Sequence, residues 1–222
     1  MFKNLLQFWK GKDFLVEVLG EFKNMLENTQ QMFDSVCKQL IDNEKDPDLR
    51  EKIYGIDKKV NDLQKNIRKR VVEHLSIQPS VDVSTSLLLM SVVKDAERLG
   101  DYAKNLFGIT QYLQKPIDKN KYNGLFNSVE KEILDLFQKT KEAFMESDEA
   151  KANLSWDYEN KITKQCDEII EKLANSSLSV NEAVCFVLMA RYFKRITAHL
   201  SNIATSVVLP LSDLDYFDEK RR

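Results

Sequence analysis

Proline interrupts this chain at only four places, Pro47, Pro79, Pro116 and Pro210. Because a proline inside a helix removes a hydrogen bond and clashes with the preceding turn, the long stretches between these points are free to be helical. Within them the apolar residues recur in a three-four alternation: Leu15, Val18, Phe22, Met25, Met32, Val36 and Leu40, with Thr29 filling one step, then Ile53, Ile56, Val60, Leu63, Ile67 and Val71. A third run reads Leu89, Val92, Ala96, Leu99, Ala103 and Leu106. That spacing lines one side of a helix and fits the seam between rods that cross at a shallow angle. The small residues Ala96 and Ala103 allow the third rod a close approach. The spacing predicts helices over about 13–43, from Asp46-Pro47 to about 75, and from beyond Pro79 to near 114. The pattern then restarts, with helices predicted over about 121–146, 149–174 and 178–208.

Three helices therefore occur twice. ERLGDYAKNL at 97–106 aligns without gaps on KRITAHLSNI at 194–203, placing Arg98 over Arg195 and Asn105 over Asn202. The expected fold is all-α, two tandem three-helix bundles built from six long antiparallel helices. The units are 1–115 and 116–222, the second carrying a short carboxy-terminal tail, DLDYFDEKRR, that reads as a docking segment.

Composition narrows the function classes. Thirty-three basic residues against thirty-five acidic ones give a net charge of -2, which removes the long-range attraction that nucleic acids exploit. Cys37, Cys166 and Cys185 are odd in number, far apart and set among apolar neighbours, suggesting neither a disulfide framework nor a zinc site and pointing to a reducing, cytoplasmic compartment. The longest purely apolar stretch, Ala183 to Ala190, is far shorter than the roughly 20 residues of a membrane-spanning helix. The segment MFKNLLQFWKGKDF has lysines among its apolar residues and reads as an apolar flap or a partner's anchor, not as a secretion signal.

On the third helix, Glu97 and Asp101 lie four residues apart and so share a face, which at 100° per residue is roughly opposite the apolar seam. Two like charges at this spacing repel by a few tenths of a kcal/mol, and a hard cation held by their oxygens would turn repulsion into attraction. The plain alternative is an acidic face neutralised by Lys94, Arg98 and Lys104. In the second repeat Lys194 stands where Glu97 stood and Ala198 replaces Asp101, which rules against a cation site there. Arg191, Lys194, Arg195, Ala198 and Asn202 form instead a basic stripe suited to an anion, a phospholipid headgroup or an acidic partner, unless carboxylates of the same chain neutralise it. His74 and His199 belong to no Glu-x-x-His pair, since Val71 and Ile196 occupy the positions three residues earlier, which disfavours a ferritin-like di-iron oxidase. His199 stands where the first repeat has Tyr102 and reads as a packing residue. Nothing resembles a nucleophile-base pair.

The string DAERLGDYAKN is similar to the signature of PhoU-family proteins, in which each three-helix repeat ends in a helix carrying an acidic-xxx-Asp motif, then an aromatic residue and an asparagine. The run Asp57-x-x-Val60-x-x-Leu63, the His74-Leu75-Ser76 triplet and RYFKRITAHLSNIATSVVLP also resemble PhoU-type chains, over about residues 12–217. The resemblance implies metal-binding acidic motifs in some members, here Glu97, Asp101 and, on the neighbouring helix, Asp57, with a divalent or ferric ion as occupant but no cofactor required. It further implies a regulator without enzymatic activity on the cytoplasmic face of a phosphate transporter complex, linked to a sensor kinase, peripheral to the membrane and prone to form homodimers. The partner- or anion-binding residues are then Arg191, Lys194, Arg195, Asn202 and Asn105. The competing readings are a metal-dependent helical protein with an enzymatic or storage role, and a helical adaptor unrelated to phosphate.

Overall fold

The structure, a computed structural model, describes residues 13–80 and 82–214, with side chains from residue 15 onward. The apolar segment at the amino terminus and most of the acidic-aromatic tail lie outside the described residues. Seven α-helices and no strand are present among those described: α1 (Asp13–Ile41), α2 (Leu49–Ile77), α3 (Val83–Ile109), α4 (Lys119–Phe126), α5 (Val129–Glu146), α6 (Glu149–Ala174) and α7 (Val180–Thr205), followed by one 3-10 turn (Leu211–Asp213). Helices α1 to α3 form one bundle, and α5 to α7, preceded by the short α4, form the second.

Neighbouring rods are antiparallel, as their cross-links show. Glu21 meets Asn66 and Asn28 meets Lys59 between α1 and α2, and Gln64 meets the Val93 carbonyl between α2 and α3. Glu132 meets Lys161 and Glu142 meets Lys151 between α5 and α6. The two bundles are joined along two seams, α1 against α5 and α3 against α7. Rising rows of side chains from one rod settle between those of the next, the geometry that a three-four spacing favours.

The fourth predicted helix is two helices. Asn127 and Ser128 both have left-handed backbones (φ 45° and 63°), which ends α4 and restarts the chain as α5. Asparagine tolerates this region better than most residues, so a polar Asn-Ser pair inside an otherwise periodic stretch is the place for a break. Asp118 starts α4 by accepting hydrogen bonds from the Asn120 and Lys121 amides. The third predicted helix stops at Ile109, not near 114: the amides of Thr110, Gln111 and Tyr112 bond three residues back, to the Phe107, Gly108 and Ile109 carbonyls, and the chain turns. At the start of α2, Asp46 accepts from the Asp48 amide and the helix begins at Leu49, two residues beyond Pro47.

Burial is continuous across the two bundles, with one cluster of apolar residues running from Leu15 to Val207. Aromatic rings form its spine: Phe22 meets Phe144 at 4.7 Å, Phe33 meets Phe137 at 5.8 Å, and Tyr122 stacks on Phe126 at 4.6 Å. Within this core the Tyr122 hydroxyl donates to the Glu130 carboxylate at 2.6 Å. The first turn of α5 suits that carboxylate through the helix dipole. Removing the donor with Tyr122→Phe is expected to cost about 1 to 2 kcal/mol, measured by urea unfolding, since Glu130 is then left nearly buried without it. An unchanged midpoint would show that water reaches the carboxylate. The three cysteines are buried and unpaired, and burial pushes the Cys166 thiol up to about 12, so it is un-ionised at neutral pH.

Candidate functional site

The α2–α3 pairing brings Asp57 to the same place as Glu97 and Asp101. Asp57 lies against α3 beside Gly100: a Cβ at Gly100 would stand 3.9 Å from Asp57 Oδ1 and 3.6 Å from Thr29 of α1, in ordinary van der Waals contact with both. The Lys104 ammonium sits between the two aspartates, donating to Asp57 Oδ2 at 2.9 Å and to Asp101 Oδ1 at 3.3 Å. Arg98 takes the other oxygen of Asp101 at 3.2 Å. Burial, then the charge of Asp101, raises the Glu97 pKa above the ordinary glutamate range, while Arg98 and Arg68 work the other way. Burial opposes the charge of Lys104, but its hydrogen bond and attraction to Asp57, with Asp101 behind them, hold its pKa above the ordinary lysine range.

Glu97 and Asp101 are neither a free outward ridge nor part of the core, with side chains 22% and 28% exposed. They stand at the margin of the α2–α3 groove. Their departure from the expected outward face has a physical cause. Helix α3 packs on α1, α2 and α7, so its buried set includes Asp95 and Gly100 as well as the Val92, Ala96, Leu99 and Ala103 seam. A helix with three neighbours has no face opposite its seam that is wholly free. As arranged, the three carboxylates do not fit a metal ion. Lys104 already holds one oxygen of each aspartate, and among the described residues no group of three or more His, Cys, Asp or Glu side chains is disposed to hold one.

The basic stripe of α7 is divided: a carboxylate of the same chain neutralises Lys194, whereas Arg191 and Arg195 are exposed. Lys194 donates to both oxygens of Asp167 on α6, each at 2.8 Å. Arg195 donates through Nε to the Tyr102 hydroxyl at 3.0 Å and lies over the Tyr102 ring at 5.6 Å, so it belongs to the α3–α7 seam. Asn105 and Asn202 do not share a site: in this antiparallel pair Asn202 is level with Val92, which is 13 residues from Asn105 and thus roughly 20 Å away along the rod.

The seam holds a polar pair that the sequence pattern did not mark. His199 Nδ1 lies 2.7 Å from Asp95 Oδ1, with side chains 14% and 12% exposed. A carboxylate only accepts, so Nδ1 carries the hydrogen. The His199 ring stacks on Tyr102 at 5.6 Å, and Tyr102 meets Tyr192 at 6.1 Å. The repeat offset of 97 residues carries Asp95 onto Tyr192 and Tyr102 onto His199. Asp95 with His199 and Tyr192 with Tyr102 are therefore the same contact made twice about a pseudo-twofold axis, a hydrogen-bonded polar pair in one copy and aromatic in the other. The signal lies in the two repeats themselves, and it emerges only when each third helix is laid antiparallel on the other.

The chain matches the PhoU domain over residues 22–109 and again over 126–207. A phosphate-specific transport system accessory protein, PhoU homolog 1 of Thermotoga maritima, is 29% identical over 98 residues, which cover 44% of this chain and 41% of that protein. The aligned part thus spans well under half of that relative. The PhoU homolog of Clostridium acetobutylicum, also a phosphate-specific transport system accessory protein, is 22% identical over 193 residues, or 81% of this chain and 83% of its own length. Among solved structures, PhoU of Pseudomonas aeruginosa superposes with a TM-score of 0.76 at 20% identity, and the phosphate transport system regulatory protein PhoU of Streptococcus pneumoniae with 0.72 at 18%. Each match covers 88% of this chain and 95% of the other, a likeness of fold. With both halves matched by the domain at the positions of its two bundles, this chain belongs to the PhoU family.

Proposed function

We propose that this protein regulates phosphate transport and phosphate-starvation signalling by binding a membrane transporter complex, and that it carries out no bond chemistry. The observation that carries this reading is the match of the PhoU domain to both halves of the chain, together with relatives named as phosphate-specific transport accessory proteins. Action by contact is supported by the site chemistry. The carboxylates and bases that join α2 to α3, α6 to α7 and α3 to α7 are engaged with one another across helices, an arrangement that fixes shape instead of activating a nucleophile. No described helix is long and apolar enough to cross a membrane, so the proposed association is peripheral and made through the transporter.

The contact surface that best suits such a role is the end of the α2–α3 hairpin. Val72 and Ile77 near the end of α2, and Val83 and Leu87 at the start of α3, leave much of their side chains exposed. Apolar groups clustered at one end of a rod pair are costly to leave in water and mark a place for another protein. We place the protein on the cytoplasmic side, where a partner ATPase or sensor kinase of the phosphate response would meet it.

Deleting the gene and measuring phosphate uptake and alkaline phosphatase output tests the reading. The expected result is an altered uptake rate and a phosphatase output that no longer follows phosphate supply, restored by the wild-type gene and not by an Ile77→Asp, Leu87→Asp form. Unchanged values in both rich and starved cells would count decisively against it.

A further inference from the structure

We propose that the Asp57, Glu97 and Asp101 cluster is a cation site filled from within: the Lys104 ammonium occupies the place a divalent ion would need, so this chain closes its α2–α3 face without metal. Position is the first argument. Lys104 Nζ lies at hydrogen-bonding distance from one oxygen of Asp57 and one of Asp101, and Arg98 takes the remaining Asp101 oxygen. A divalent ion would have to displace both bases and gather several oxygens at about 2.0 to 2.6 Å.

Charge is the second argument. Lys104 bridges Asp57 and Asp101, and Arg98 lies 3.2 Å from Asp101 and 4.0 Å from Glu97, so every carboxylate of the cluster has a base beside it. Two of its three negative charges are thus offset by the chain's own bases, which weakens its pull on a dication from solution. A tethered ammonium also forgoes the loss of translational freedom that a free ion suffers on binding, and it is present at any metal concentration.

The second repeat supplies an independent observation. There the α7 side chain Lys194, at the position of Glu97, holds both oxygens of Asp167 on α6. Each repeat thus closes its second helix on its third with a lysine of the third and an aspartate of the second. The residues differ between repeats, but the device is common to both.

The test uses the full chain purified without chelator, its metal content measured, then stripped and titrated with Mn²⁺, whose electron resonance signal reports binding directly. The wild type is expected to hold substoichiometric metal and to show the same melting temperature with chelator or with Mn²⁺. Removing the ammonium with Lys104→Met should expose the aspartates and tighten Mn²⁺ binding by about tenfold or more. The gain should vanish when Asp57→Asn is added, while Lys104→Arg should gain nothing. Stoichiometric metal on the wild type, or a rise in its melting temperature with Mn²⁺, overturns the proposal even if Lys104→Met fails to fold. A folded Lys104→Met chain that binds Mn²⁺ no better than the wild type also overturns it.

Discussion

Phe193→Ala is expected to lower the unfolding free energy by about 3 to 5 kcal/mol, the usual cost of emptying an aromatic site that cannot collapse. Phe193 is fully buried on α7, and its ring meets Phe33 of α1 at 5.7 Å and Phe126 of α4 at 5.8 Å, both edge-on. Phe33 in turn meets Phe137 of α5, and Phe126 meets Tyr122 and Phe186. One ring thus ties α1 of the first bundle to two helices of the second, α4 and its own α7. The loss is a large part of the roughly 5 to 15 kcal/mol that holds a domain together, so the variant should be marginal at physiological temperature. Because the core is continuous, urea unfolding should remain a single transition with a shifted midpoint and an unchanged slope. Two separated transitions would show that the bundles are stable independently. Leu154→Ala, at a side chain that is substantially exposed, serves as the control and should change stability by less than about 0.5 kcal/mol.

Much of this architecture is legible in the amino-acid sequence, for reasons that particular residues illustrate. The α1 seam from Leu15 to Leu40 runs in steps of three and four, and every apolar member of it is buried. Local periodicity reports one packing face reliably, and on α2 the buried Ile53, Val60, Ile67 and Val71 all belong to the predicted run. Helix α3 shows where periodicity stops being enough. Its sequence marks the stripe of Val92, Ala96 and Leu99, whereas Asp95 and Gly100 are buried only because α7 and α1 arrive from elsewhere in the chain. No local pattern encodes the arrival of a distant helix.

The same limit governs the candidate site. Glu97 and Asp101 are paired by a spacing of four, and Lys104 follows Asp101 by three, so their mutual contact is readable on a helical wheel. The role of Asp57 as the second anchor of Lys104 depends on the register of α2 against α3, which exists only in three dimensions. The basic stripe misleads for a related reason. Lys194 and Arg195 are adjacent in sequence and read as one charged surface, yet 100° of helical rotation sends the first to Asp167 on α6 and the second to Tyr102 on α3. The broken fourth helix is signalled by Asn127-Ser128, a cue outweighed by the periodicity on either side.

Removing both partners of the α3–α7 seam's polar pair should cost less than the two single removals added together. His199→Ala leaves the Asp95 carboxylate mostly buried with its hydrogen-bond donor gone, and removes the ring that stacks on Tyr102. The expected cost is about 3 kcal/mol, since a buried charge stripped of its partner keeps its desolvation penalty and loses the interaction that offset it. Asp95→Ala strands no carboxylate and removes one hydrogen bond to His199, so its cost should be smaller, about 1 to 2 kcal/mol. The double variant removes the group that suffers in each single variant. Its loss should fall short of the sum by about 1 to 3 kcal/mol, the coupling free energy of the pair. Additive losses would mean that the two side chains contribute separately and that their proximity at 2.7 Å stabilises nothing. The pseudo-symmetric contact of Tyr102 with Tyr192 offers the contrast: both groups are neutral, so Tyr192→Leu strands no charge and should show weaker coupling to Tyr102. A seam with one polar and one aromatic copy of the same contact favours a single register between the two bundles, because sliding α7 along α3 would draw Asp95 away from His199 and leave its carboxylate without that partner.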